Sequence, residues 1–361
     1  MNILILKLCA VFLVIIAMLW RKLPLFAAIS GGLAAAVLLY GIPLGRALTI
    51  GGKALVSRET VTVVLSFYFI TFLQRMLERR RRLKQAEESL SGLFGNRRIN
   101  ASAAPAVIGL LPSAGAMTIC AEIVRSSCED YMSPEDMTCV TSFYRHIPES
   151  FLPTYSSILI ALALSGVGAG QFVLAMLPLV AVLFLIGYVF HLRKLPKRTD
   201  QRLEGGKMDF ARMLFCSLWS IILIVFLIIA FDIPVYIATP LVTVLNIFVD
   251  RLKWWEIRPM FFTAFEPVII FNTVLIMVFK DIITSTGVIH ELPVFFGGLP
   301  VPLPLVFALI FFFGTIISGS NAIISLCLPM AMAAVPDGGV ALLVLLMSMA
   351  YAAMQVSPTH V

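Results

Sequence analysis

Apolar residues dominate this chain in long runs, at 3–19, 23–40, 60–73, 151–167, 171–190, 213–231, 233–249, 260–279, 301–317 and 340–353. Most approach the ~17–25 residues that a helix needs to cross a bilayer. One such run could be a signal peptide or an anchor, but ten cannot. The first run has no small-residue cleavage site at its end, because Trp20-Arg21-Lys22 follows directly, so it reads as a retained helix. The pattern therefore predicts an all-α polytopic membrane protein.

Composition agrees, with 60% hydrophobic and 13% charged residues. Soluble domains carry roughly 25% charged residues, so this chain lacks the surface of a water-soluble globule. The net charge of +7 does not point to nucleic acid. Basic residues cluster between the apolar runs, at Arg21-Lys22, 75–84, Arg97-Arg98, 191–212 and 250–258. The positive-inside rule makes these segments cytoplasmic and places the N-terminus outside. Arg46, Lys53 and Arg58 fall on the outer side and do not fit this scheme. The six cysteines form no Cys-x-x-Cys pair and read as small core residues, and nothing in the sequence calls for a cofactor or a metal.

The chain also resembles itself. A shift of 205 positions places Arg75 on Lys280, Gly92 on Gly297, Gly109 on Gly314, Ser113 on Ser318 and Pro153-Thr154 on Pro358-Thr359. Earlier in the chain, Leu23-Pro24 meets Ile233-Pro234 at a shift of 210. Each half reads as three spanning helices, a charged or amphipathic stretch, an interrupted hairpin, a broken helix and a final helix. The two passes of the hairpin cancel, leaving five crossings, and an odd number inverts the second half relative to the first. The expected plan is two inverted repeats of five transmembrane helices. The first occupies 1–192, with a re-entrant hairpin at 101–127 and a broken helix at 138–167. A cytoplasmic linker follows at 193–210. The second repeat occupies 211–361, with a hairpin at 301–335 and a broken helix at 340–361. By the same register a full second repeat would extend to about residue 396, so its last helix is expected to lie beyond Val361.

Candidate chemistry falls at the interruptions. In the first hairpin, arms of about ten residues flank Pro112, Ser113, Ala114 and Gly115. Such arms are too short to span, and non-helical backbone at that depth survives only where it is buried in protein or lines a wet cavity. The second tip is Ser318, Gly319, Ser320 and Asn321, on longer arms that would also suit a spanning pair. Hydroxyls, an amide and open glycine backbone can hold a small polar solute, the helix start after each tip suits a carboxylate, and exposed carbonyls suit Na⁺. The same small residues also suit helix packing. Pro148 and Pro153 bracket Glu149 and Ser150, with Thr154 just past the break, and Pro358 with Thr359 matches them in the second half. Proline removes an N–H and frees a carbonyl one turn back, so an unwound stretch or an ordinary kink is expected there. Ionisable groups in apolar runs are rare and mark ion pathways, which makes Glu149, with His146 three residues earlier, the candidate proton or cation carrier.

Taken together, the Leu111–Ala116 tip segment, Ser318-Gly319-Ser320-Asn321 and the paired Pro-Thr breaks resemble the ion transporter superfamily. Within it, the pattern is most similar to a bacterial inner-membrane family described as a domain of unknown function. Gluconate, C4-dicarboxylate and citrate carriers are more distant in pattern. The resemblance implies a secondary transporter of a small organic anion in the cytoplasmic membrane, coupled to Na⁺ or H⁺ by alternating access, and often a homodimer. The tips lack the Ser-Asn-Thr triplets of the dicarboxylate carriers, which counts against that substrate and that type of Na⁺ site. The competing class is an intramembrane enzyme or an assembly scaffold. Against the enzyme stand the absence of His-Glu-x-x-His, Gly-x-Ser-Gly and Gly-x-Gly-Asp, and no Walker A loop supports ATP-driven transport.

Overall fold

Proline and glycine punctuate the apolar runs, and the helices of the computed structural model begin and end at them. Pro24 precedes helix Leu25–Tyr40, and Gly41 ends it in the left-handed conformation (φ 65°), its N–H returning to the Leu38 and Val37 carbonyls. The structure describes residues 3–94, 96–110, 115–197, 206–297 and 300–357. Among them the fold is all-helical, without a strand.

Among the described residues, six helices are long and apolar enough to cross a membrane: Ile3–Trp20, Arg58–Arg79, Ala169–Leu192, Lys207–Phe231, Pro267–Ser285 and Pro336–Val356. Their outward faces stay apolar. In the first, Ile5, Leu8, Val11 and Ile15 pack inward while Ile3, Leu6, Leu13 and Ile16 remain exposed. Phe226, Phe231, Phe248 and Phe262 are exposed in the same way. Such continuous apolar exposure is a surface for lipid, not for water. Five further apolar helices are shorter: Leu25–Tyr40, Ser156–Ser165, Val235–Val249, Leu303–Ser318 and Ser320–Ala334. The expected run at 260–279 is divided, because helix Trp254–Thr263 ends before Pro267 starts the next. Proline at a first helical position starts a helix and cannot continue one.

Helix starts recur along the chain. Leu25 and Val235, then Leu44 and Trp254, begin helices 210 positions apart; Gly115 and Ser320, then Pro134 and Gly339, begin helices 205 apart. These are the two shifts that align the sequence with itself.

The chain forms two compact units, one of Met1–Tyr68, Leu159–Gly168 and Phe265–Val361, the other of Phe69–Ile158 and Ala169–Ala264. In the first unit, helix Ile3–Trp20 packs on Leu25–Tyr40. Phe12 meets Phe279 and Phe26 meets Phe271 edge-on. Lys280 is bound to Glu59, a partner 221 residues away that sequence spacing does not reveal.

In the second unit, Ala101, Val124, Val140, Tyr144 and Ile147 form a buried core that joins helices Arg97–Ile108, Gly115–Cys128 and Pro134–His146. Arg97 and Arg98, expected as loop charges, clamp this core. The Arg97 Nε donates to the Ser127 carbonyl and its guanidinium lies 4.2 Å from the Tyr131 ring centre. Arg98 donates to the carbonyls of Leu195 (2.7 Å) and Arg193 (2.9 Å). Arg125 pairs with Glu129 one turn onward, at 3.4 Å. Backbone N–H donation from Lys253, with Arg80 and Arg79 nearby, holds the Glu256 carboxyl below the usual carboxylate range.

Candidate functional site

The helix Pro134–His146 stops where its sequence says it must. Ser133 caps its start by accepting from the Asp136 N–H (3.2 Å), and Pro148 closes its end. The chain tightens into a 3₁₀ turn at Ile147–Ser150, runs irregularly, and resumes as helix Ser156–Ser165. Ser150 Oγ donates back to the Ile147 carbonyl (2.7 Å), and the Tyr155 hydroxyl donates to the Gly109 carbonyl of the hairpin's first arm.

Glu149 lies in this turn, largely buried, with its Oε2 at 3.5 Å from Arg145 Nη1 and 3.9 Å from His146 Nε2. The His146 Nδ1 approaches the Ser142 carbonyl at 2.6 Å, so that nitrogen carries the proton and donates. In a neutral ring the nitrogen facing Glu149 then has only a lone pair. Its approach to a carboxylate becomes favourable when one proton is held, either as an imidazolium or as the carboxylic acid of Glu149. Arg145 and His146 thus both approach one carboxylate oxygen of Glu149 at this helix break. Arg145 was missed in the sequence, although it lies one helical turn before Glu149, the spacing that brings ion pairs together.

Pro153 and Thr154 are buried beside this cluster, and the Thr154 Oγ1 has no hydrogen-bond partner among the described residues. Gly109 allows the close approach that holds the site together. A Cβ there would lie 2.2 Å from the Arg145 carbonyl oxygen, a backbone atom that cannot step aside. Gly115 begins the second arm, Gly115–Cys128, while Pro112, Ser113 and Ala114 lie outside the described residues.

The second hairpin has a tighter break. Helix Leu303–Ser318 gives way to helix Ser320–Ala334 across Gly319 alone, whose φ of 84° and ψ of 155° suit a residue without a side chain. Ser318 Oγ donates to the Gly314 carbonyl (2.8 Å) and Ser325 Oγ to the Asn321 carbonyl. Ser320 is buried. Two acceptors at this break, Thr315 Oγ1 and Asn321 Oδ1, are buried without a partner among the described residues. Thr315, one turn before the break, was missed in the sequence. The arms of this hairpin, at 16 and 15 residues, reach ~24 and ~22 Å, less than the ~30 Å of a hydrocarbon core. Pro358 and Thr359 lie outside the described residues, and the helix before them, Gly339–Val356, is continuous.

Among the described residues, fold and site together define an all-helical protein with six candidate membrane-spanning helices and a buried ionisable cluster at a helix break. A family model described as "Protein of unknown function (DUF401)" matches residues 4–361, and the chain belongs to that family. No curated protein matches it.

Proposed function

We propose that this protein is a secondary transporter that moves a small organic anion, coupled to Na⁺ or H⁺, by alternating access between two inverted repeats in the cytoplasmic membrane. The observation that carries this reading is the Arg145–Glu149–His146 cluster at the break between helix Pro134–His146 and the apolar helix Ser156–Ser165. Buried charges are expensive where water is absent and persist where they do work, and a buried carboxyl beside an arginine and a histidine suits an ion-coupled cycle. The recurrence of helix starts at shifts of 210 and 205 supports a duplicated plan. The unpartnered Thr154, Thr315 and Asn321 oxygens supply uncharged acceptors at both breaks, which suits a hydrated cation or the donors of a solute.

The test is reconstitution of the full-length protein in liposomes, with labelled organic anions and imposed Na⁺ or H⁺ gradients. Gradient-dependent uptake that Glu149→Gln uncouples from pH is expected. An absence of gradient-driven uptake across a broad anion panel would sink the transport reading. Uptake whose pH profile survives Glu149→Gln would remove this cluster from the coupling.

A further inference from the structure

Helix Lys207–Phe231 carries an apolar stripe that faces a groove of about 590 Å³, with an ion pair in its wall. Phe215, Trp219, Ile222 and Phe226 follow one another at helical spacing and line it. From Phe215 to Phe226 the stripe extends ~16 Å, about half of a ~30 Å hydrocarbon core and thus about one leaflet. Arg82 starts the helix Arg82–Phe94, and Asp250 lies at the end of helix Val235–Val249.

That ion pair is incomplete. Arg82 Nη2 donates to Asp250 Oδ1, and Arg82 Nη1 reaches Gln85 Oε1 at 3.3 Å. The Arg82 Nε and the Asp250 Oδ2 are both buried without a hydrogen-bond partner among the described residues, although the Asp250 side chain is only 6% exposed. One is a cationic donor and the other an anionic acceptor. A buried polar atom left unpaired costs roughly 1–3 kcal/mol, and more when charged.

We propose that this groove binds a membrane phospholipid with a primary-amine zwitterionic headgroup. The phosphate meets the Arg82 guanidinium, the ammonium donates to Asp250, and one acyl chain lies along the Phe215–Phe226 stripe. The charges on the protein match the charges on the headgroup, and the apolar length matches a single leaflet. A quaternary ammonium has no N–H to give Asp250, and a headgroup without an amine offers no cation. This inference rests on membrane embedding and is independent of the transport reading.

The test is native mass spectrometry of the delipidated full-length protein. It is titrated with phosphatidylethanolamine, phosphatidylcholine and phosphatidylglycerol of identical acyl chains, and with soluble phosphoethanolamine as competitor. Phosphatidylethanolamine should be retained roughly tenfold more strongly than the other two, the margin set by one charge-assisted hydrogen bond. Asp250→Asn should erase that preference, and Leu223→Trp, which fills the groove, should reduce retention of all three lipids. If Asp250→Asn does not fold, Leu223→Trp and the headgroup ranking decide. Equal retention of the three lipids, or retention unmoved by Leu223→Trp, would overturn the proposal. Displacement by soluble phosphoethanolamine would also overturn it, in favour of a water-soluble zwitterion.

Discussion

Around Gly109 the first hairpin runs against the backbone of the helix that ends at His146, whereas around Gly314 the second runs against a side chain of its own returning arm. A Cβ at Gly109 would meet the Arg145 carbonyl oxygen at 2.2 Å, and one at Gly314 would meet the tip of Ile323 at 2.4 Å. The two glycines lie 205 positions apart in the sequence but secure different things. The first fixes the hairpin to a charged break, with Arg145, His146 and Glu149 beside it. The second closes a hairpin whose unpartnered groups, Thr315 and Asn321, are neutral. One hairpin thus has ionisable chemistry beside it, and the other has uncharged acceptors.

The largest expected effect separates the two glycines. Gly109→Val should cost ~3 kcal/mol or more, because backbone cannot yield, whereas Gly314→Ala should cost about 1 kcal/mol after Ile323 moves. Thermal melting in detergent reads both, and equal losses would erase the contrast. Next is the ion pair: Arg145→Met should destabilise by about 3 kcal/mol, and adding Glu149→Gln should recover part of it, since a buried charge left alone costs more than a pair removed together. A fully additive double mutant would show that the two side chains do not interact.

Gly319→Ala tests the second break directly. Nothing lies within 4 Å of a Cβ there, so its cost of about 1–2 kcal/mol would come from the left-handed backbone alone. Tyr155→Phe removes the donor to the Gly109 carbonyl and should cost about 1 kcal/mol. The smallest effect on stability is the sharpest on function. Thr154→Val removes a buried hydroxyl that has no partner, so stability should hold within about 1 kcal/mol while uptake falls. Unchanged uptake would show that the hydroxyl contacts no solute or ion.

Much of the helical order was legible in the sequence. Pro24, Pro148 and Pro234 mark helix boundaries because proline lacks an N–H, and Gly41 and Gly319 occupy positive φ where a side chain would be strained. The break around Glu149 followed from Pro148 and Pro153 by the same reasoning. Partners were less legible. Arg145 was within reach of the i,i+4 rule, but Tyr155 finds Gly109 across 46 residues, Arg82 finds Asp250 across 168, and Glu59 finds Lys280 across 221. Hydrophobicity alone is blind to the turn before Pro267, which divides the apolar run at 260–279.

By itself, the sequence determined that this chain is helical, that its helices are apolar enough for a bilayer, and where most of them stop. Those properties depend on each residue's own hydrophobicity, torsional freedom and hydrogen-bonding groups, which neighbours along the chain are enough to express. Tertiary structure alone decided that the Glu149 turn lies near a backbone-to-backbone contact between Gly109 and Arg145, and that Asp250 is left one partner short next to an apolar groove. Such outcomes depend on which distant surfaces pack together and which polar atoms that packing leaves unpaired, a property of the folded core rather than of any segment.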